Sequence, residues 1–151
     1  TFQITSIFIN LTVYENVALA IRKDNSNGEE DSVSEVLSKV GLLDRIEQRS
    51  GDLSYGHQRL LELAMGMAQK PKLLILDEPT QGLSDSEIEN FKKLIKDISS
   101  STTILLIEHN MDVVMSIADN ISVLHFGEII ADGDKETIQN DPIVQKAYLG
   151  D

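Results

Sequence analysis

Leu73-Leu74-Ile75-Leu76-Asp77-Glu78-Pro79-Thr80 runs four apolar residues into two adjacent carboxylates and a proline turn. A short all-apolar run is what a parallel strand buried on both faces requires. The carboxylates then fall at the C-terminal end of that strand, the edge where open α/β sheets bind ligands. Asp77 in that place can hold Mg²⁺, usually through water, and Glu78 can polarise a water for in-line attack on a phosphoryl group. Taken alone, the stretch is equally well a solvated Asp-Glu pair at a strand end.

The chain around it alternates. Downstream, Ser84-Asp85-Ser86-Glu87 is a capping box opening a helix through Phe91, Leu94, Ile95 and Ile98. Thr102 to Ile107 reads as a second buried strand, Asn110 to Ala118 as a helix and Ile121 to Leu124 as a strand. Phe126-Gly127-Glu128 predicts a tight turn into Ile129-Ile130-Ala131, hence a hairpin. Asp141-Pro142 supplies a cap and first-turn proline for a last helix, which Gly150 ends. Strand, helix and strand in succession imply right-handed crossovers and a parallel sheet.

Upstream the pattern is helical. Thr12-Val13-Tyr14-Glu15 is another capping box, predicting a helix from Val13 to about Lys23, and Asp24 to Asp31 reads as a loop. Val33, Val36, Leu37 and Val40 have helical spacing, with Gly41 placed as a left-handed cap. A third helix spans Gly56 to about Lys70, and Pro71 stops it. The fold class is therefore α/β, a helical segment over 11–69 followed by a mostly parallel sheet with a C-terminal hairpin and helices over 70–151. Repeats and low-complexity segments are absent from the sequence.

Composition narrows the chemistry. The 151 residues carry 13 basic and 25 acidic side chains, a net charge of −12. That balance argues against a nucleic-acid or anionic-membrane binder, which needs a basic face. The lack of cysteine removes disulfides, thiolate nucleophiles and Cys-based zinc sites. Apolar stretches such as Leu73–Leu76 and Ile104–Ile107 are too short to span a bilayer. With no pattern that reads as a signal peptide, the expectation is a soluble intracellular chain without direct membrane insertion.

Two further stretches carry possible phosphate chemistry. In Leu53-Ser54-Tyr55-Gly56-His57-Gln58-Arg59 a hydroxyl, a glycine and free amides meet at a helix start, where unsatisfied N–H groups and the dipole favour an anion. On spacing alone, Ser54 is more readily read there as only a helix cap. Glu108-His109-Asn110 follows the second strand, so His109 is either a γ-phosphate donor or a structural cap. The spacing gives His57 and His125 no role of their own, and Met65, Met67, Met111 and Met115 read as packing.

Taken together and in order, these stretches resemble the ATP-binding subunit of ABC transporters, a P-loop NTPase family. Leu53 to Gln58 resembles the LSGGQ signature, with Tyr55 in place of a glycine and His57 in place of a glutamine. Leu73 to Glu78 resembles Walker B, Gln81-Gly82-Leu83-Ser84 the D-loop, His109 the switch histidine and Gln3 the Q-loop glutamine. The resemblance implies ATP and Mg²⁺ as cofactors and a head-to-tail dimer with a second ATP-binding subunit. It implies that Ser54, Tyr55, Gly56, His57 and Ser84 face nucleotide and that Asp77 and Gln3 face the metal. Glu78, His109 and Gln3 are then catalytic: general base, γ-phosphate sensor, and metal and water contact. Permease subunits would meet the segment from about Leu11 to Gln69 at the inner face of the cell membrane.

Asn10 to Val17, Glu108 to Val114 and Asp141 to Gly150 are similar to branched-chain amino acid importers, with urea and amide importers as rivals. No Gly-x-x-x-x-Gly-Lys-Ser/Thr occurs in the sequence. This absence, with Thr1 in place of an initiator methionine, leads to the expectation of a C-terminal portion lacking Walker A. Such a chain would be inactive alone, or a non-catalytic interaction module.

Overall fold

The computed structural model describes residues 7–21 and 29–149. Gln3 lies outside them, as do Arg22 and Lys23 at the expected end of the first helix and most of the expected loop. The chain divides after Glu108 into two compact units.

The first unit opens with α1 (Val13–Ala20), α2 (Glu29–Lys39) and α3 (Tyr55–Ala68), which pack on one another. The capping box of α1 is closed in both directions: Thr12 Oγ1 accepts from Glu15 N–H at 3.1 Å, and the Glu15 carboxylate accepts from Thr12 N–H at 2.7 Å. Gly41, at φ +73°, lets the chain leave α2, and the Leu42 N–H reaches back to the Leu37 carbonyl at 2.9 Å. That is the reversal glycine was expected to make. Val13, Val17, Val33, Leu37, Leu42, Leu61 and Ala64 are fully buried.

One polar side chain lies among these core residues. Asn16 Oδ1 accepts from Phe8 N–H at 2.7 Å, and its Nδ2 donates to the Phe8 and Thr12 carbonyls and to Ser50 Oγ at 2.9 to 3.1 Å. Asn16 and Ser50 are both fully buried. This one amide ties the segment before α1 to the 3-10 turn (Ser50–Asp52) that leads into α3.

After α3, β1 (Leu73–Asp77) and β2 (Thr103–Ile107) pair in parallel, residue for residue from Leu73–Thr103 to Asp77–Ile107. Between them runs α4 (Asp85–Ser99), which buries Phe91, Leu94, Ile95 and Ile98. Phe91 lines a cavity of about 580 Å³ together with Leu74 and Leu76 of β1 and Leu60 and Leu63 of α3. The expected burial of β1 on both faces is not what the structure shows. Leu73, Ile75, Leu105 and Ile107 alternate onto one face and are 45 to 53% exposed, because no described element covers it.

The second unit holds α5 (Met111–Ile117), the antiparallel hairpin of β3 (Ile121–His125) and β4 (Glu128–Gly133), α6 (Lys135–Asn140) and α7 (Pro142–Val144). Phe126 and Gly127, both at positive φ, make the two-residue turn. Ile121, Val123, Ile138 and Val144 form its core, with Met111 and Met115 packed against them. Asp141 caps α7 as expected, accepting from the Ile143 and Val144 N–H groups at 2.8 and 3.1 Å, and α7 continues into a π-helical turn (Gln145–Leu149).

Two predictions follow from these caps and contacts. Asn16→Ala strands buried partners and is expected to cost about 2 kcal/mol, read as a lowered urea midpoint; an unchanged midpoint contradicts the hub. The Ser84 backbone N–H, then the Ser84 hydroxyl, hold the Glu87 carboxyl below the usual glutamate range. A depressed carboxylate stabilises the fold above its unfolded pKa, about 4.3, and that contribution fades as pH falls through the folded value. The advantage of wild type over Glu87→Gln in urea unfolding should therefore be present at neutral pH and vanish in acid.

Candidate functional site

The matched strand ends of β1 and β2 set the geometry of the first unit's carboxylates. Beyond Asp77 the ladder gains one more bond, from Glu78 N–H to the Ile107 carbonyl at 2.8 Å. Glu78 has φ +46°, in the left-handed region that side-chain-bearing residues avoid, and such outliers gather at functional sites. Asp77 and Glu78 are both half-buried.

The next residues are tied down in turn. Thr80 is 5% exposed, and its N–H donates to Glu108 Oε1 at 3.0 Å while its hydroxyl donates to the same oxygen. Gln81 N–H reaches the Glu78 carbonyl and Leu83 N–H the Thr80 carbonyl, both at 3.2 Å. Gly82 turns the chain at φ +79° into Ser84, the cap of α4. Thr80 and Glu108 are the residues that sequence reasoning missed. Their one signal was that each directly follows or precedes a motif, Glu78-Pro79 and His109.

Around the start of α3, Ser54 is the helix cap, accepting from His57 N–H at 3.3 Å and lying 2.9 Å from His57 Nδ1. Gln58 Nε2 donates to the Ser50 and Leu53 carbonyls at 3.2 and 3.4 Å and so holds the preceding turn. Gly56 is buried, and a Cβ there would come within 2.0 Å of Glu87 Oε1, so only glycine leaves room for that carboxylate. Tyr55 turns its ring toward Arg59 and the Gly82 backbone. The structure thus brings Tyr55, Gly56 and His57 together with Ser84 through Glu87 and Gly82. His109 is exposed and opens the second unit, just before Asn110, the cap of α5.

The fit to a nucleotide can be judged from these groups. Ser54 and the first-turn amides of the 14-residue α3, which has no acid of its own in that turn, suit a phosphate oxygen. No three metal-binding side chains cluster among the described residues.

Comparison with known proteins bears on the family. A family model described as ABC transporter matches residues 1–81, and one described as branched-chain amino acid ATP-binding cassette transporter matches residues 128–151. The chain is 36% identical to the high-affinity branched-chain amino acid transport ATP-binding protein LivG of Escherichia coli, over all of the chain and 67% of LivG. It is 38% identical to BraF of Pseudomonas aeruginosa over the same shares. The methionine import ATP-binding protein MetN of Mannheimia succiniciproducens is 35% identical over 97% of the chain and 44% of MetN. A solved ATP-binding cassette of an ABC transporter superposes with a TM-score of 0.84 at 25% identity, over 98% of this chain and 66% of that one. This chain therefore spans about two thirds of the length of LivG, BraF and that solved cassette but under half of MetN, and it belongs to the ABC transporter ATP-binding family.

Proposed function

We propose that this chain carries the signature and Walker B elements of an ATP-hydrolysing subunit that powers import of branched-chain amino acids. The left-handed Glu78 at the end of β1, fixed by the Thr80–Glu108 contact, is the observation that carries the reading. The division into a helical part over 11–69 and a core part over 70–151 belongs to it.

Bound ATP with Mg²⁺ would supply the phosphoryl group and its charge neutralisation. Ser54 and the Gly56 N–H face the γ-phosphate held mainly by a second ATP-binding subunit in a head-to-tail pair. Tyr55, His57 and Ser84 would line the same edge, and Asp77 would hold Mg²⁺ through water. The Glu78 carboxylate takes the proton of the attacking water. The family resemblance assigns His109 a γ-phosphate contact and Gln3 a metal and water contact. The phosphate-cradling Gly-x-x-x-x-Gly-Lys-Ser/Thr is not in this sequence, so these residues serve catalysis only alongside such a loop. Permease subunits are the partners at the inner face of the membrane; no helix among the described residues is long and apolar enough to cross it.

Branched-chain substrates are favoured over methionine because the branched-chain family model matches residues 128–151. In vesicles containing the full-length subunit and its permease, leucine, isoleucine or valine should drive ATP hydrolysis. Stimulation by methionine or urea alone would move the substrate assignment.

Glu78→Gln in the full-length subunit is expected to lower kcat by about a hundred-fold or more while nucleotide binding persists; undiminished turnover removes Glu78 as the base. Glu108→Ala and Thr80→Val, which break the Thr80–Glu108 contact beside Glu78, should each lower kcat roughly ten-fold with little change in KM. A pure KM effect would instead place Glu108 in binding.

A further inference from the structure

We propose that Tyr55 is a positioning residue for ATP hydrolysis. It braces the start of α3 against the Gly82 turn, so that the phosphate-facing amides and the Glu78 carboxylate are held in one fixed arrangement. The inference rests on the ATPase reading above for its catalytic consequence, and on geometry alone for the brace.

The brace begins away from the site. Arg59 forms an ion pair through Nη1 with Glu62 at 2.8 Å, both side chains largely buried. The same guanidinium donates from Nε and Nη2 to the Tyr55 hydroxyl at 3.1 and 2.8 Å, and its carbon lies 5.2 Å from the ring centroid. Tyr55 is thus fixed from its own helix, one turn along, by a planar fork pre-organised to donate twice. A tyrosine ring adds few rotatable bonds of its own, so little entropy opposes that placement.

The other edge of the ring meets the Gly82 backbone. A Cβ on Gly82 would lie 2.9 Å from Tyr55 Cε1 and 3.4 Å from Cδ1, so the ring packs where any side chain would stand. Gly82 is at φ +79°, which glycine alone adopts without strain, and its neighbours bond back along the turn. Leu83 N–H holds the Thr80 carbonyl and Gln81 N–H holds the Glu78 carbonyl. A displacement of Gly82 therefore reaches Glu78 through two short hydrogen-bonded turns. Beside this contact, the Glu87 carboxylate fills the space over Gly56 while accepting from Ser84, a second tie between the starts of α3 and α4.

A glycine at position 55, as in the LSGGQ signature that Leu53 to Gln58 resembles, has no side chain to make this contact. A glycine there would leave the Gly82 turn free to move independently of α3. The aromatic side chain replaces that freedom with a packed contact and an anchored hydroxyl.

The test uses the full-length subunit with Tyr55→Ala, Tyr55→Gly and Tyr55→Phe. Amide hydrogen exchange across residues 81–83 should quicken in the Ala and Gly variants and return toward wild type in Phe, which keeps the ring. ATP hydrolysis in the transporter should lose roughly ten-fold in kcat in Ala and Gly, with KM nearly unchanged, and recover in Phe. Unchanged exchange in Tyr55→Ala overturns the brace, whatever the ATPase does. Faster exchange with unchanged kcat overturns the positioning role. A KM rise with constant kcat makes Tyr55 a binding contact instead and also overturns it. A wild-type transporter that never hydrolyses ATP sinks the ATPase reading separately, and the exchange data then judge the brace alone.

Discussion

The in-register pairing of β1 with β2 is the constraint on which the rest of the first unit depends. Five residues of one strand match five of the other, and the next N–H, that of Glu78, still finds the Ile107 carbonyl. Both strands consequently stop at one level, and the residues just past each end, Glu78 to Thr80 and Glu108, are forced into neighbourhood. A slip of one residue would turn every side chain of β1 to the opposite face and separate Thr80 from Glu108. The left-handed backbone of Glu78 costs on the order of 1–3 kcal/mol. Each hydrogen bond from buried Thr80 to the Glu108 carboxylate is an offset of similar size, since a bond to a charged group contributes about 1.5–3 kcal/mol.

Much of this was legible in the sequence because it is local. The caps at Thr12 and Asp141 and the glycine reversal at Gly41 depend on residues within five positions of each other, and each formed as expected. The strands were legible as apolar runs bounded by turn residues. Non-local features were not. Thr80 and Glu108 are 28 positions apart, and nothing in either segment alone announces the other. The helix α6 was also missed: its six residues, Lys135 to Asn140, bury only Ile138, too little for a helical period to show. Its one marker, the Asp134 carboxylate accepting from Thr137 N–H at 2.9 Å, lacks the glutamate three residues on that made the other caps conspicuous. As for the candidate site, residue types and order were legible, whereas the contacts joining Tyr55 to Gly82 and Gly56 to Glu87 were not. Those contacts follow from how α3 and α4 start beside each other.

That juxtaposition also shapes the electrostatics at the start of α3, the anion site proposed above. Net charge acts at a distance and is screened within about 8 Å at physiological salt, whereas the amides at the start of α3 act at contact. The first turn of α3 contains no acid, but α4 lends one: Glu87 sits over Gly56 with its charge engaged by Ser84. The positive end of one helix is therefore partly complemented by a carboxylate that already caps another. A phosphate at this edge would meet backbone donors held by both helices but would also be repelled by the Glu87 carboxylate, so it competes with that carboxylate for the start of α3.

The exposed stripe on β1 and β2 bears on the same point. Leu74, Leu76, Ile104 and Leu106 are half-buried on one face, whereas Leu73, Ile75, Leu105 and Ile107 on the other retain 45 to 53% of their exposure. A strand facing water on one side ordinarily alternates apolar with polar residues; β1 does not, and β2 does so only at Thr103. These side chains are chosen for burial on both faces, and covering the stripe would remove further apolar surface from water at about 25 cal/mol per Å². Any such cover would stiffen the ladder from beneath the Asp77–Ile107 pair. Such a cover would then add packing across the strand pair to the hydrogen bonds that hold Glu78. The same apolar residues that define the fold would thus help set how firmly the carboxylate at its edge is held.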